Sequence, residues 1–198
     1  MSEVELPNPK ELQEVKEKHF ERRVALTTAI FAVVLAIASL GGNNAMKEML
    51  LAQQQASDQW AFYQAKVIRE HQYRGQKLQL EAALAERGAA MKPEARQKFD
   101  AVMAMFAEEE RRYNAEKKDV ETDARKLEQE RDLNRDKDPY FDYAEVLLQI
   151  AIVMASISIL SGSRLVFFFS LVAAMLGAML TVNGYMLLLK IPFLHGGH

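Results

Sequence analysis

The 198-residue chain has no cysteine, so neither a disulfide framework nor thiolate chemistry is open to it, and cysteine usage leaves the redox compartment undetermined. It has no surplus of positive charge either: 25 Lys/Arg stand against 27 Asp/Glu, a net charge of -2. Nothing is available to displace counterions from a phosphate backbone, which makes nucleic acid a poor partner. No spaced acid, base, metal-ligand or glycine-rich phosphate motif occurs. Charge itself is missing from three stretches, residues 24–46, 146–163 and 165–189.

What is present is a segregation that the averages conceal. The chain is 49% hydrophobic and 26% charged, as an ordinary soluble protein would be. Residues 41–145, however, hold 18 Lys/Arg and 21 Asp/Glu, whereas residues 146–189 hold one charge, Arg164. Two solvents are implied, lipid for the apolar stretches and water for the charged middle.

The first apolar stretch is strongly apolar over 24–40, which as a helix rises roughly 25 Å, and its uncharged extension reaches the roughly 30 Å of hydrocarbon. A cleaved leader would have a shorter charged lead and an Ala-x-Ala-like exit. This run leaves through Gly41-Gly42-Asn43-Asn44, so a retained span is expected. The second and third stretches, taken as one helix, would be roughly twice the bilayer core and must fold back. Ser161-Gly162-Ser163-Arg164 supplies the turn. Asp138 is the expected N-cap of the second span and Pro139 its first residue, with Tyr140, Phe141 and Tyr143 in the headgroup layer. Lys190 can snorkel, and Pro192 ends the third span.

Three spans place the N-terminal tail and the Arg164 turn on one side, with the middle region and the C-terminus on the other. Arg22, Arg23 and Arg164 flank spans on the first side, against Lys190 and Lys47 on the second, which favours a cytoplasmic tail. Counting more widely brings in Lys10, Lys16, Lys18, Lys126, Arg131, Arg135 and Lys137 and leaves the sides nearly equal, so the flanking arginines carry the assignment.

The middle region is rich in Ala, Gln, Glu, Lys and Leu. It has no proline and only Gly75 as glycine over 44–87, then a stop at Gly88 and a restart at Pro93-Glu94. Two helices of similar length, 44–87 and 93–137, form an antiparallel hairpin that returns the chain to the membrane. Met46, Met49, Gln53, Ala56, Trp60, Tyr63 and Val67 follow steps of three and four. On the second helix Phe99, Phe106, Tyr113, Val120 and Leu127 recur every seven residues, with Met103 and Ala124 between them and polar Glu110, Lys117 and Arg131 in the same stripe. So charged a seam is thin, and a homo-oligomer is the expected remedy; a solvated monomeric hairpin is the alternative.

The expected architecture is an all-α membrane protein: a tail at 1–23, a transmembrane helix at 24–43, the coiled-coil-like hairpin within 44–138, transmembrane helices at 139–163 and 165–190, and a tail at 191–198. The most distinctive local sequence is Ser57-Asp58-Gln59-Trp60-Ala61-Phe62-Tyr63-Gln64-Ala65-Lys66. Asp58, Trp60, Phe62, Tyr63 and Lys66 are a candidate interaction surface, or else part of the helix-helix seam with its polar groups satisfied there. In the membrane, Gln149 and Asn183 are candidate polar contacts, and Ala32/Ala36, Ala151/Ala155 and Ala173/Gly177 offer close helix approach. The charge-free stretches 24–46, 146–163 and 165–189 place no carboxylate, histidine, lysine or arginine at depth, against the habit of ion-coupled carriers.

Together the Trp60 segment with Ile68-Arg69, the exit Ala38-Ser39-Leu40-Gly41-Gly42-Asn43-Asn44 and the paired C-terminal spans resemble a bacterial family of small three-span membrane proteins of unknown function. The resemblance covers essentially the whole chain; it implies the same layout and offers no activity or catalytic residue.

His19 and His71 are isolated, His195 and His198 would make only half a metal site, and Glu108, Glu109 and Glu110 form a solvated helix face. No cofactor is expected. The expected function is a non-enzymatic homo-oligomeric scaffold or interaction protein of the bacterial inner membrane, with its hairpin periplasmic or extracellular and an envelope protein as a further partner. A channel or transporter subunit lined by Gln149, Asn183 and serines is the alternative, and an enzyme comes last.

Overall fold

A computed structural model describes residues 9–191, with side chains from residue 14 onward. His195, His198 and Pro192 lie outside the described residues. The described residues form three α-helices, α1 (Pro9–Arg87), α2 (Pro93–Ser161) and α3 (Arg164–Met186), with a 3-10 turn at Gly88–Ala90 between the first two. The chain divides into two units, Met1–Glu48 with Leu133–His198, and Met49–Asp132.

Helix α1 starts earlier than the expected span and continues beyond it. Residues expected as a tail are helical from Pro9, a residue suited to the first helical position because its missing N–H would be unpaired there anyway. The helix also passes unbroken through Gly41, Gly42, Asn43 and Asn44. Likewise Asp138 does not cap a helix start: Pro139 sits inside α2, which runs through to Ser161. An interior proline costs about 3 kcal/mol. The adjoining residues explain why the helix is nevertheless held, since Tyr140, Phe141, Ala144 and Leu148 are all essentially inaccessible.

In the first unit the core is built from small residues. Val24, Phe31 and Ala38 of α1 meet Ala144, Leu148, Ala151 and Ala155 of α2 and Ala174 of α3. Gly177 lets α3 approach α2 so closely that a β-carbon there would lie 2.8 Å from Leu148 Cγ and 3.1 Å from the Ala144 carbonyl oxygen. Across the same contact the buried Ser170 hydroxyl donates to the Ala151 carbonyl at 2.8 Å. Of the expected small-residue pairs, Ala151/Ala155 is buried and Gly177 packs tightly, but Ala32 and Ala36 are exposed and Ala38 takes the inward place. The turn between α2 and α3 is where the sequence puts it, with Gly162 at φ +65, a backbone region that suits glycine.

All three helices are long and apolar enough to cross a membrane. Within their most apolar windows only 22%, 28% and 22% of residues are buried. Leu26, Ile30, Val33 and Ile37 on α1, Val146, Ile150, Val153 and Ile157 on α2, and Phe168, Met175, Met179 and Val182 on α3 all face outward.

In the second unit the partners along α1 and α2 run in opposite directions. Gln53 meets Arg131, Trp60 meets Glu128, Lys66 meets Glu116, Glu70 meets Asn114 and Lys117, and Lys77 meets Glu110. The α2 stripe faces inward at every position the spacing selects: Phe99, Met103, Phe106, Glu110, Tyr113, Lys117, Val120, Ala124, Leu127 and Arg131 are buried or half-buried. On α1 the apolar seam is displaced by one residue at its start. Ala45 and Ala52 are buried where Met46 and Gln53 were expected, because a small side chain lets the helices approach and a large one is turned out.

Candidate functional site

Helix geometry divides the Trp60 segment between two faces. Trp60 and Tyr63 are half-buried and meet edge to face, with ring centroids 5.5 Å apart and planes at 81°. The indole N–H donates to Glu128 at 3.0 Å, and the Arg125 guanidinium lies 5.9 Å from the indole ring. Lys66 forms an ion pair with Glu116 and lies 4.8 Å from the Phe62 ring centroid and 5.3 Å from that of Tyr113. Asp58 and Phe62, four residues apart, point outward instead, and Phe62 is 51% exposed. Trp60, Tyr63 and Lys66 are therefore occupied within the chain, whereas Asp58 and Phe62, whose ring also lies under the Lys66 ammonium, stay exposed.

The seam continues as a ladder of polar groups that the sequence marks only as unfavourable positions in a stripe. Glu70 is buried and accepts from Lys117 at 2.5 Å and from Asn114 at 2.9 Å. Burial alone would raise its pKa, but these two donors, the Lys117 charge and the nearby His71 outweigh it and hold the carboxyl below its ordinary value. Tyr113, buried and stacked on Tyr73 at 5.7 Å, accepts from Arg69 and Arg112, both at 3.2 Å. Those donors lower its phenol pKa. Lys77 closes the ladder on Glu110 at 2.6 Å. At successive levels a group on α1 pairs with a different group on α2, which favours one helix register over its neighbours.

In the first unit the intramembrane candidates are far apart in role. Gln149 is exposed on the outer face of α2. Asn183 is nearly buried, and both ends of its amide are used within the chain: Nδ2 donates to the Leu189 carbonyl at 2.8 Å, and Oδ1 accepts from the Leu189 N–H at 2.9 Å. The Tyr140 hydroxyl donates to the same carbonyl at 2.8 Å and accepts from the Ile191 N–H at 3.0 Å. These bonds hold the chain after α3, which ends at Met186 with Leu187 in the left-handed region, short of the boundary expected from Pro192.

The site that sequence reasoning missed is the seat of Phe141. Its ring, almost fully buried, lies against Gly41 and Gly42 of α1 and Gly184 of α3, and it meets Tyr185 edge to face at 5.0 Å. A β-carbon on Gly184 would stand 2.9 Å from two ring carbons, and one on Gly41 would collide with the ring outright. The Tyr185 hydroxyl donates to the Ile37 carbonyl at 3.1 Å. The signal was visible as Gly41-Gly42 and Gly184 at three places in the chain, but only the fold brings them around one ring. Of the three aromatic residues expected at the headgroup layer, Tyr140 and Phe141 are thus core, and Tyr143 alone is exposed.

Among the described residues no three His, Cys, Asp or Glu side chains gather as a metal site requires. What fold and ladder define is an all-helical protein with three membrane-length apolar helices and a polar, register-fixing helix pair. The chain belongs to a domain-of-unknown-function family, DUF4337, whose model matches residues 20–187. No curated protein and no solved structure matches it.

Proposed function

We propose that this is a three-span integral membrane protein whose Met49–Asp132 unit is an antiparallel, coiled-coil-like hairpin outside the bilayer, acting as a non-enzymatic homo-oligomeric scaffold. The observation that carries the membrane reading is the outward apolar surface of three helices that bury only about a quarter of their most apolar residues. Such a surface needs an apolar solvent. With lipid supplied, Gly177, Ala151 and Ala155 do what small residues do in bilayers, where dispersion contacts rather than water exclusion drive helices together.

Association is supported by a second surface. Outside the apolar spans, Leu50, Leu51, Phe62, Ile68, Leu78 and Met105 are each at least half exposed on helices that are otherwise charged. Another copy of the chain would cover them at the least cost in positioning, since membrane anchoring already confines both copies to one plane. Arg22, Arg23 and Arg164 favour a cytoplasmic N-terminus and a periplasmic or extracellular hairpin in a bacterial inner membrane. A channel subunit is the second reading, favoured by Gln149, an amide on an outward apolar face.

Alkaline carbonate washing of membranes tests insertion: the protein stays in the pellet, and recovery in the supernatant overturns the proposal. Mass measurement in detergent tests assembly, where a strictly monomeric particle rejects the scaffold. Because the chain has no cysteine, single Lys77→Cys and Arg164→Cys labels report sidedness without background. Ion flux into liposomes that Gln149→Leu abolishes would replace the scaffold by the channel.

A further inference from the structure

We propose that the basic end of the three-helix unit is a binding site for the phosphate of an anionic phospholipid; this rests on the membrane reading above. Lys16, His19, Phe20 and Arg23 are spaced three and four apart on one face of α1, immediately before the charge-free stretch that opens at Val24. Arg164 and Phe167 occupy the first turn of α3. The fold brings these six residues around one concavity of about 520 Å³. Its apolar wall is the Phe20–Phe167 pair, packed edge to face at 5.8 Å.

Four features select an anion with an apolar tail. Among the described residues no carboxylate lines this concavity; Glu17 and Glu21 belong to the adjoining groove of about 590 Å³, which shares Lys16 and Arg164. Lys16, Arg23 and Arg164 make no ion pair with any described residue, in contrast to Lys66, Lys77 and Lys117, each of which is paired. Helix α3 adds its positive end: Ser163 gives no side-chain cap, and no acidic residue stands in the first turn. Leu26 on α1, Leu160 at the end of α2, and Leu165 and Phe168 on α3 are all well exposed beside the cations. A lipid satisfies both surfaces, its phosphate on Lys16, Arg23 and Arg164 and its first methylenes against Phe20 and Phe167. A soluble phosphate compound would meet only the first.

The test uses the full chain in phosphatidylcholine nanodiscs containing a minority of phosphatidylglycerol, with co-retained lipid counted by native mass spectrometry. Preferential retention of phosphatidylglycerol is expected. Arg23→Gln and Arg164→Gln should each lower it about fivefold, the factor that corresponds to roughly 1 kcal/mol per basic residue near an anionic surface. Arg22→Gln, which removes an equal charge outside the lining, should lower retention distinctly less, by no more than its share of the general surface attraction. Equal loss in all three variants would reduce the effect to general surface charge and overturn the site, as would retention without preference in the unaltered protein. Displacement of the lipid by inorganic phosphate or by glycerophosphoglycerol would reassign the site to a soluble ligand. Protein that fails to remain in the nanodisc at all would instead reject the membrane reading.

Discussion

The two units of this molecule solve the problem of holding helices together with opposite chemistry. In the unit of Met1–Glu48 and Leu133–His198 the contact is made of alanines and glycines, with one large ring, Phe141, seated where three glycines leave room. In the Met49–Asp132 unit few residues are fully covered, and Glu70, Lys117, Lys66, Glu116, Lys77 and Glu110 share the seam with aromatic rings. Lipid competes poorly for a close-packed backbone but offers no solvation to a charge; water does the reverse. Each seam suits the solvent proposed for it.

The comparison is broken most sharply by adding bulk to a glycine. Gly184→Val places carbon where the Phe141 ring already lies, and overpacking a site closed on several sides should cost about 3–5 kcal/mol. The expected outcome is loss of the folded species in a detergent thermal-shift assay read by size-exclusion chromatography. Gly75 is the control from the other unit: a β-carbon there meets nothing within 4 Å, so Gly75→Ala should stabilise by about 0.5–1 kcal/mol through helix propensity. Added bulk on a glycine thus has opposite signs in the two units, and effects of equal sign would dissolve the distinction.

The ladder gives the intermediate effect. Glu70→Ala leaves the partly buried Lys117 and Asn114 without their acceptor and should cost about 2 kcal/mol in chemical denaturation. Glu70→Leu combined with Lys117→Leu should recover most of that loss, because no charge is then left uncompensated. The pH dependence has a definite sign. With its folded pKa held below the unfolded value, Glu70 contributes stability that is present above the ordinary carboxylate range and is lost as pH falls through the lowered folded value. A Glu70→Ala protein whose stability falls as steeply as the parent's in that acid window would remove Glu70 from the ladder's account.

Much of this was legible in the sequence, and the boundary of legibility is physical. Apolar length gave three helices of membrane-spanning size, and the seven-residue recurrence from Phe99 to Leu127 selected the inward face of α2 correctly. Local rules failed where tertiary contact overrides them. Pro139 and the Gly41-Gly42 pair are helix breakers by propensity, yet both lie inside helices because Phe141 packs between elements remote in sequence. The α1 seam was displaced at Met46 and Gln53 because hydrophobic periodicity weighs methionine above alanine, while a close helix contact favours the smaller residue. For the Trp60 segment spacing favoured the seam over a surface, and contacts with residues some fifty or more positions away divide it between them.

The smallest effect lies where the charged middle passes into the apolar stretch. Burial raises the pKa of Asp138, and the Asp142 carboxylate one turn along α2 raises it further. Lys137, its sequence neighbour, is turned instead toward Asn134 at 3.2 Å, and Lys190 pairs with Asp136 at 3.0 Å. A folded pKa above the unfolded one means that stability is greatest below the unfolded value and declines as pH rises through the folded value. Ionisation of Asp138 therefore works against the fold. Asp138→Asn removes that charge while keeping the shape, and with discounting for partial exposure it should stabilise the protein by about 0.5 kcal/mol at pH 7. The gain should disappear below about pH 3, where the parent carboxyl is protonated in both states. Paired melts at the two pH values check it: a gain that persists in acid would mean that packing, and not charge, sets the cost of an aspartate beside Pro139.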